Sequence, residues 1–418
     1  MRKGEFLEGK KEWGIFFALA LLVFVLGVGW KYYQFSQIPH TPFEFKAKVL
    51  AQYEKNSKTI FKLKAQNGQI FYTSSKEDLK DLSNKEVSLY GKVYDCDFLQ
   101  SLKSCYFITY SLSLLPSSPF HSPFYFVQSQ HSNPLISKLF ESLFFASFLP
   151  KEWREIASAL HISHLIAISG LHLGILAWAL YMLLGKPYEF LQKRYFTYRN
   201  RLFDMGVVSG IVLFAYMLFI GTPPAFLRAY VMSVVALGFV YCHLRLLSFS
   251  FLLVCSLAIV ALFPSLLLSI GFWFSISGVF YIFLFFHYFH FDSCKLQWLK
   301  IAILLNIALF LQMLPLVHYV FGAFSLFSIL SIPLSVIFPL WFVVMIVLHC
   351  LGLGGVGDRV LEWALGLELE VAEIYTPTIL LLFHLCISLL AMRFRSAYDL
   401  SLGVGFAFWL FLMTKILI

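Results

Sequence analysis

Three histidines and a serine fall within twelve residues of one another in the run HISHLIAISGLHLG at 161–174: His161, His164, Ser169 and His172, with Gly170 beside the serine. Side chains of these types can support three kinds of chemistry. A serine near a histidine is the raw material of an activated nucleophile. A His-x-x-His pair offers metal ligands, and neutral imidazoles with hydroxyls can line a polar path. The residues between them are as apolar as those of a membrane helix. A polar group without a partner in hydrocarbon is expensive, so such a cluster faces a cavity or the interior of a bundle. The Ser169-Gly170 pair predicts a helix break at the point where freed backbone groups would line that cavity.

Hydrolytic chemistry fits the pattern poorly. Ala167-Ile168-Ser169-Gly170 is only superficially similar to the G-x-S-G nucleophile motif of rhomboid proteases, because Ala stands at the first position. A serine and a histidine three residues apart on one bent helix are badly placed for proton transfer. His161-x-x-His164 lacks the HExxH glutamate and an evident third carboxylate ligand. An intramembrane serine hydrolase and a transporter of another polar solute stay as alternatives to a hydrophilic pore. No cofactor is implied.

The elements that must position these groups follow from composition. Of 418 residues, 59% are hydrophobic and only 13% charged, with a mean hydropathy of +0.77. That excludes a soluble globule and predicts an α-helical polytopic membrane protein. The formal charge of +9 is compatible with topology, anionic lipid or a polyanionic cargo, and does not choose among them.

The first apolar run, 13–30, follows Arg2, Lys3, Lys10 and Lys11, lacks a small-x-small cleavage site and ends in Trp30-Lys31-Tyr32-Tyr33. It reads as a retained membrane anchor over 1–30 with a cytoplasmic N-terminus. Residues 31–119 then carry twelve Lys, no Arg and eight acids, and alternation replaces long apolar runs. Strands are expected over 43–49, 61–65, 69–73 (after an Asn67-Gly68 turn), 86–94 and 106–115. Five short strands suit a small OB-like β-barrel, although alternation alone admits other small β-domains. Lys46, Lys48, Lys62 and Lys64 form a candidate stripe for a phosphate backbone, with Tyr or Phe rings for base stacking. The plainer alternative is that they are solvated strand faces that block aggregation.

Cys96 and Cys105 flank a loop that two strands can close, and are expected to form a disulfide if this domain lies on the periplasmic or outer side. Cys242, Cys255, Cys294, Cys350 and Cys386 lack zinc-like spacing and are expected in the apolar core. Residues 120–163 predict interfacial amphipathic helices, over 137–149 and 151–160. The transmembrane domain proper is expected over 164–418, with spans at 164–184, 205–221, 226–244, 246–263, 266–289, 298–321, 324–350, 371–392 and 400–418. With the anchor this makes about ten hydrophobic segments. Some are expected to be re-entrant, and 324–350, with Pro333 and Pro339, is the first suspect. The basic loop 185–204, with Lys186, Lys193, Arg194, Arg199 and Arg201, should be cytoplasmic.

Further polar or chain-breaking residues interrupt the spans. Gly221-Thr222-Pro223-Pro224 precedes Arg228, a cation near a helix N-terminus that needs an anion or a watery vestibule. Gly271 and Ser275 begin an aromatic helix, Leu314-Pro315-Leu316 is followed by His318, and Pro333 disrupts another span.

Together these motifs resemble the ComEC family of competence DNA channels. His164 to His172 is similar to its HLxAISGLH hallmark, Gly221 to Ala229 to its G-x-x-P-x-x-x-RA element and Gly271 to Ser275 to its GFxxS element. Leu314-Pro315-Leu316 and Ile332-Pro333-Leu334 are similar to its paired proline elements. Trp273 and Ser328 depart from the family's usual Gln and Asn. No HxHxDH metal motif occurs, which implies a form without the family's C-terminal metallo-β-lactamase-like domain. The resemblance implies an inner-membrane channel for single-stranded DNA and not an enzyme. Its pore or gate residues would be His164, Ser169, Gly170, His172, Arg228, Gly271, Ser275, Pro315 and Pro333. The implied partners are single-stranded DNA, membrane lipid, an extracytoplasmic DNA receptor and a cytoplasmic strand-binding or motor protein. No Walker A element is present to supply the driving force.

Overall fold

A computed structural model of the chain describes residues 9–39, 41–55, 58–75, 82–115, 122–242, 248–289 and 297–417. Its described residues divide into two compact units, one built from Lys10–Pro150 with Leu257–Ser269, the other from Lys151–Ser256 with 270–417.

In the first unit, helix α1 (Lys10–Ser36) continues past Trp30 and buries none of its residues within the chain. That is what an apolar helix does when lipid is its partner. The alternating stretch that follows closes into a barrel of β1 (Phe43–Lys55), β2 (Lys58–Ala65), β3 (Ile70–Ser75), β4 (Glu86–Tyr94) and β5 (Cys105–Leu114). The strand order is β1-β2-β3-β5-β4, with β4 pairing back onto β1 and the β3–β5 pair parallel. It is a small OB-like barrel. Because strand side chains alternate, Val49, Phe61, Leu63, Val87, Leu89 and Phe107 fill the core while their neighbours face out. A register shift between Val49 and Ala51 bends the long β1, which pairs with both β2 and β4. The expected turn is present: Gly68 has φ +83°, and Asn67 Oδ1 accepts from the Gln69 backbone N–H at 3.0 Å.

Cys96 and Cys105 form a disulfide across the β4–β5 connection, with Cα atoms 5.7 Å apart. Inside that loop, α2 (Phe98–Ser101) sets Phe98 against Tyr32 and Phe35 of α1, ring centroids 5.3 and 5.9 Å away. The stapled loop therefore ties the barrel to the end of the anchor helix. After α3 (Ser122–Gln128), α4 (Pro134–Phe145) starts with Pro134 at its first position and Asn133 accepting from the Leu135 N–H. It stops four residues short of the expectation, because Ala146 turns left-handed at φ +56°. The chain then returns to the barrel, where Ser147 Oγ accepts from Asn84 Nδ2 and Phe148 stacks on Tyr53.

The second unit opens with α5 (Lys151–Ala159), which buries Trp153, Ile156 and Ala157 and exposes its charges. There follow α6 (Ser163–Ile166), α7 (Gly170–Tyr195), α8 (Arg201–Phe219), α9 (Pro224–Tyr241), α10 (Phe249–Leu262, which from Leu257 on counts with the first unit), α11 (Ile270–Tyr288) and α12 (Gln297–Val320). The rest are α13 (Ser331–Cys350), α14 (Asp358–Leu365), α15 (Thr378–Leu390) and α16 (Arg395–Leu417). Among the described residues, α1, α8, α9, α11, α12, α16 and the stretch Leu326–Cys350 are long and apolar enough to cross a membrane. The 324–350 segment, the first suspect for a re-entrant piece, is by length and composition long enough to cross. The segments too short for a full crossing of about 20 residues are α10, with 14, and α15, with 13.

The basic stretch 185–204, expected as a loop, is mostly the continuation of α7 and the start of α8. Glu189 pairs with Lys193 at 2.8 Å and Arg201 at 2.7 Å, and Arg199 makes a bidentate pair with Asp204. The core expectation for the apolar cysteines holds for Cys255 alone. Cys242, Cys350 and Cys386 are exposed, since a membrane helix turns apolar groups outward, and Cys294 lies outside the described residues.

Candidate functional site

The break in 161–174 falls where the sequence predicts it. One helical turn, α6, ends at Ile166, Ala167 and Ser169 are extended, and α7 begins at Gly170. Ser169 is the N-cap of α7 and His172 its third residue. His172 Nδ1 accepts from the Ser169 backbone N–H at 3.3 Å, and Ser169 Oγ lies 3.4 Å from the same nitrogen. This is a capping box with histidine in place of the usual Glu or Gln. An accepting Nδ1 leaves the proton on Nε2. That nitrogen is buried with no nitrogen or oxygen partner, and the ring meets Phe342 and Phe338 edge-on, with centroids 4.7 and 5.3 Å away. His172, 1% exposed, is thus a packed part of the helix start. The serine and histidine are spent on the cap, with no carboxylate hydrogen-bonded to the ring among the described residues.

The other motifs converge on this start. Gly221 (φ +84°) and Thr222 (φ +56°) reverse the chain after α8, and Pro224 opens α9. Arg228 falls in the second turn of α9. It is 5% exposed, Nη2 donates to the Gly271 carbonyl of α11 at 3.1 Å, and Nε has no partner. Among the described residues no carboxylate pairs with it. Next to it, a Cβ placed on Gly170 would lie 3.4 Å from the Ala229 Cβ, so two small residues bring α7 and α9 together. Ser275 follows one turn along α11, half-buried.

Helix α13 closes the other side of α7. His164 is exposed, with Nε2 3.4 Å from Ser335 Oγ. Pro333 lies exposed in the first turn of α13, and Pro339 removes the N–H that would have bonded the Ser335 carbonyl. Pro315 does the same to Leu311 inside α12. Gly405 of α16 packs there so closely that a Cβ would collide with the Leu311 oxygen.

Two histidine arrangements around α12 join residues that the sequence did not bring together. His161 Nε2 contacts the Ala323 carbonyl at 3.0 Å, and its ring sits 5.3 Å from that of His318, whose Nδ1 contacts the Ile374 carbonyl at 3.0 Å. The pair flanks a two-strand ribbon of β6 (Ala323–Phe324) and β7 (Ala372–Glu373). Deeper in the bundle, His384 Nε2 lies 3.2 Å from Tyr281 Oη and 3.0 Å from the Gln312 carbonyl, Tyr281 also meets Ser388, and Gln312 donates to Ser401. This polar network joins α11, α12, α15 and α16. Tyr281, His384, Ser388 and Ser401 lie on apolar helices without a motif to flag them. Among the described residues no group of three His, Cys, Asp or Glu is placed to hold a metal ion.

The four predicted lysines face outward on the barrel. Lys48 and Lys64 are cross-strand partners, Lys46 lies opposite Ser88, and Lys62 sits over the Tyr72 ring at 5.8 Å. Partial burial pushes the Lys48 ammonium below its ordinary value, with Glu86 opposing, and lowers Lys64 as well, with Lys48 adding to the effect.

The family model described as competence protein matches residues 145–417, about two thirds of the chain. This chain belongs to the competence protein family. The matched segment contains every element that meets at the start of α7. No curated protein and no solved structure matches the chain. Membership of the competence protein family carries a role in competence and DNA uptake, and the apolar helices make the chain a membrane protein.

Proposed function

We propose that this competence-family protein is a channel of the bacterial inner membrane that passes single-stranded DNA into the cytoplasm during natural transformation. The observation that carries the proposal is Arg228: a guanidinium withdrawn from solvent, held by one carbonyl and facing no carboxylate among the described residues. A buried cation without a counter-charge is costly, and a passing phosphate would relieve that cost. The broken α6–α7 helix, the small-residue contact of Gly170 with Ala229 and the prolines at 315 and 333 supply an element that can move beside it. His164, Ser169, Gly170, His172, Gly271 and Ser275 act as pore or gate residues, chiefly by shaping backbone. Lys46, Lys48, Lys62 and Lys64 gather DNA on the barrel, on the outer side of the membrane. The N-terminus is cytoplasmic, as the Lys10 and Lys11 flank and the 185–204 cations favour, and the disulfide suits an oxidising compartment. An external receptor and a cytoplasmic strand-binding or motor protein complete the path.

Labelled DNA followed into cells lacking the native protein, with outer-compartment and cytoplasmic label scored separately, tests this. Cells carrying Arg228→Glu should accumulate label outside the inner membrane while the protein stays inserted. Cytoplasmic label at parental level would overturn the proposal.

A further inference from the structure

The barrel sorts its aromatic residues by type. Phe61, Phe71 and Phe107 are buried, with Phe43 and Phe45 packed against them, whereas Tyr90, Tyr94, Tyr106 and Tyr110 are exposed. Because Phe71, Cys105 and Phe107 point inward, their neighbours Tyr72 and Tyr106 must point out, and Val93 in the core sends Tyr94 out. Register then aligns them across four strands: Lys62 pairs with Tyr72, Tyr72 with Tyr106, and Tyr106 with Tyr94. Neighbouring strands lie about 4.8 Å apart, so the result is one row of a cation and three rings. Tyr94 is 58% and Tyr106 43% exposed, and Tyr106 is steadied by its hydroxyl 2.7 Å from Ser74 Oγ. One step along, Lys92 pairs with Ile108, and beyond it Tyr90 and Tyr110 meet at 6.1 Å. Glu44, opposite Tyr90, bounds the surface on β1.

The geometry points to the outer face of β3, β5 and β4 as a base-stacking platform for single-stranded DNA, with Tyr94 and Tyr106 offering ring faces and Lys62 and Lys92 meeting the phosphates. This rests on the DNA-channel reading and adds to it the atoms that hold bases. Stacking on a ring tolerates any base, as a sequence-blind uptake path requires. Tyrosines are also the rings of a membrane interface; what favours a nucleic acid here is that the row is bounded by Lys62, paired with Tyr72, and by Lys92 one step along, so that cations and ring faces lie side by side.

The test uses the full chain in phosphatidylcholine nanodiscs with a fluorescent twelve-nucleotide oligo(dT), and an abasic strand of equal phosphate count. Tyr94→Ser and Tyr106→Ser should each weaken oligo(dT) binding at least about fivefold and leave abasic-strand binding and the salt slope unchanged. Tyr94→Phe and Tyr106→Phe should retain affinity, and an intact Cys96–Cys105 disulfide reports a folded barrel. Unchanged oligo(dT) affinity in the serine variants, or equal loss for both strands, overturns the platform. If Lys62→Gln weakens binding while the tyrosine variants do not, the platform falls and the DNA path stands. Failure of the parent to bind either strand removes both. Hydroxyl-radical protection of Tyr94 and Tyr106 by the bilayer and not by oligo(dT) would make them a membrane-interface belt and overturn the proposal.

Discussion

The two units treat cations in opposite ways. On the barrel, Lys46, Lys48, Lys62 and Lys64 stand on outward strand faces, Lys62 over the Tyr72 ring, while in the helical unit Arg228 is sealed under a carbonyl. Surface charges attract at a distance and are screened by salt within about 8 Å at physiological ionic strength. A buried guanidinium is felt only at contact, and far more strongly because little water competes. On the proposed channel reading, the contrast separates gathering a polyanion from admitting it.

The largest break of that contrast is expected at Arg228. If the proposed channel passes its strand at Arg228, reversal to Glu should reduce DNA entry by at least about a hundredfold, because it leaves an uncompensated anion beside the phosphates. Arg228→Lys should restore part of the entry, which a purely packing role would not. Gly170→Leu comes next: it forces α7 away from Ala229 and should cut uptake roughly tenfold with insertion intact, measured as cytoplasmic label per inserted protein. Replacing Cys96 and Cys105 by Ser should cost the barrel about 3 kcal/mol, read as a lowered denaturation midpoint under oxidising conditions. Neutralising the four barrel lysines together should lower single-strand affinity and reduce the slope of log affinity against log salt by at most about 3.

The smallest effect concerns pH. Burial lowers the folded-state pKa of Lys48 and Lys64 below that of free lysine. Both ammoniums therefore lose charge earlier as pH rises, and single-strand affinity should fall at a lower alkaline pH than exposed lysines would give. Such a group disfavours the folded barrel below its folded pKa, so barrel stability should rise as pH climbs through that value. Binding measured from pH 7 to 10, against a Lys48→Arg Lys64→Arg variant that keeps its charge, checks the sign.

Much of this was legible before any coordinates. Period-2 alternation marked all five strands, because one face of each must fill the barrel. Asn67-Gly68 marked its turn because of the left-handed backbone, and Ser169-Gly170 marked the helix break because serine caps and glycine tolerates the approach of Ala229. What stayed hidden was long-range. Segment 324–350 looked broken because of its prolines, yet Pro333 sits in the first turn of α13, where a missing N–H costs little, and Pro339 leaves only the Ser335 carbonyl free. His172 was expected to face a cavity or the bundle interior, and its ring is taken up by its own helix cap and by two phenylalanines more than 160 positions away.

By itself the sequence determined the classes of element: lipid-long helices, an alternating barrel stretch, the breaks at glycine and proline, and the cysteine pair, all set by local periodicity and local backbone chemistry. Only the tertiary structure decided that Arg228 reaches Gly271, that His161 meets His318, and that Lys62, Tyr72, Tyr106 and Tyr94 form one row. Those contacts depend on helix packing and strand register between distant segments, and each follows from how whole faces fit together, which no local window of residues encodes.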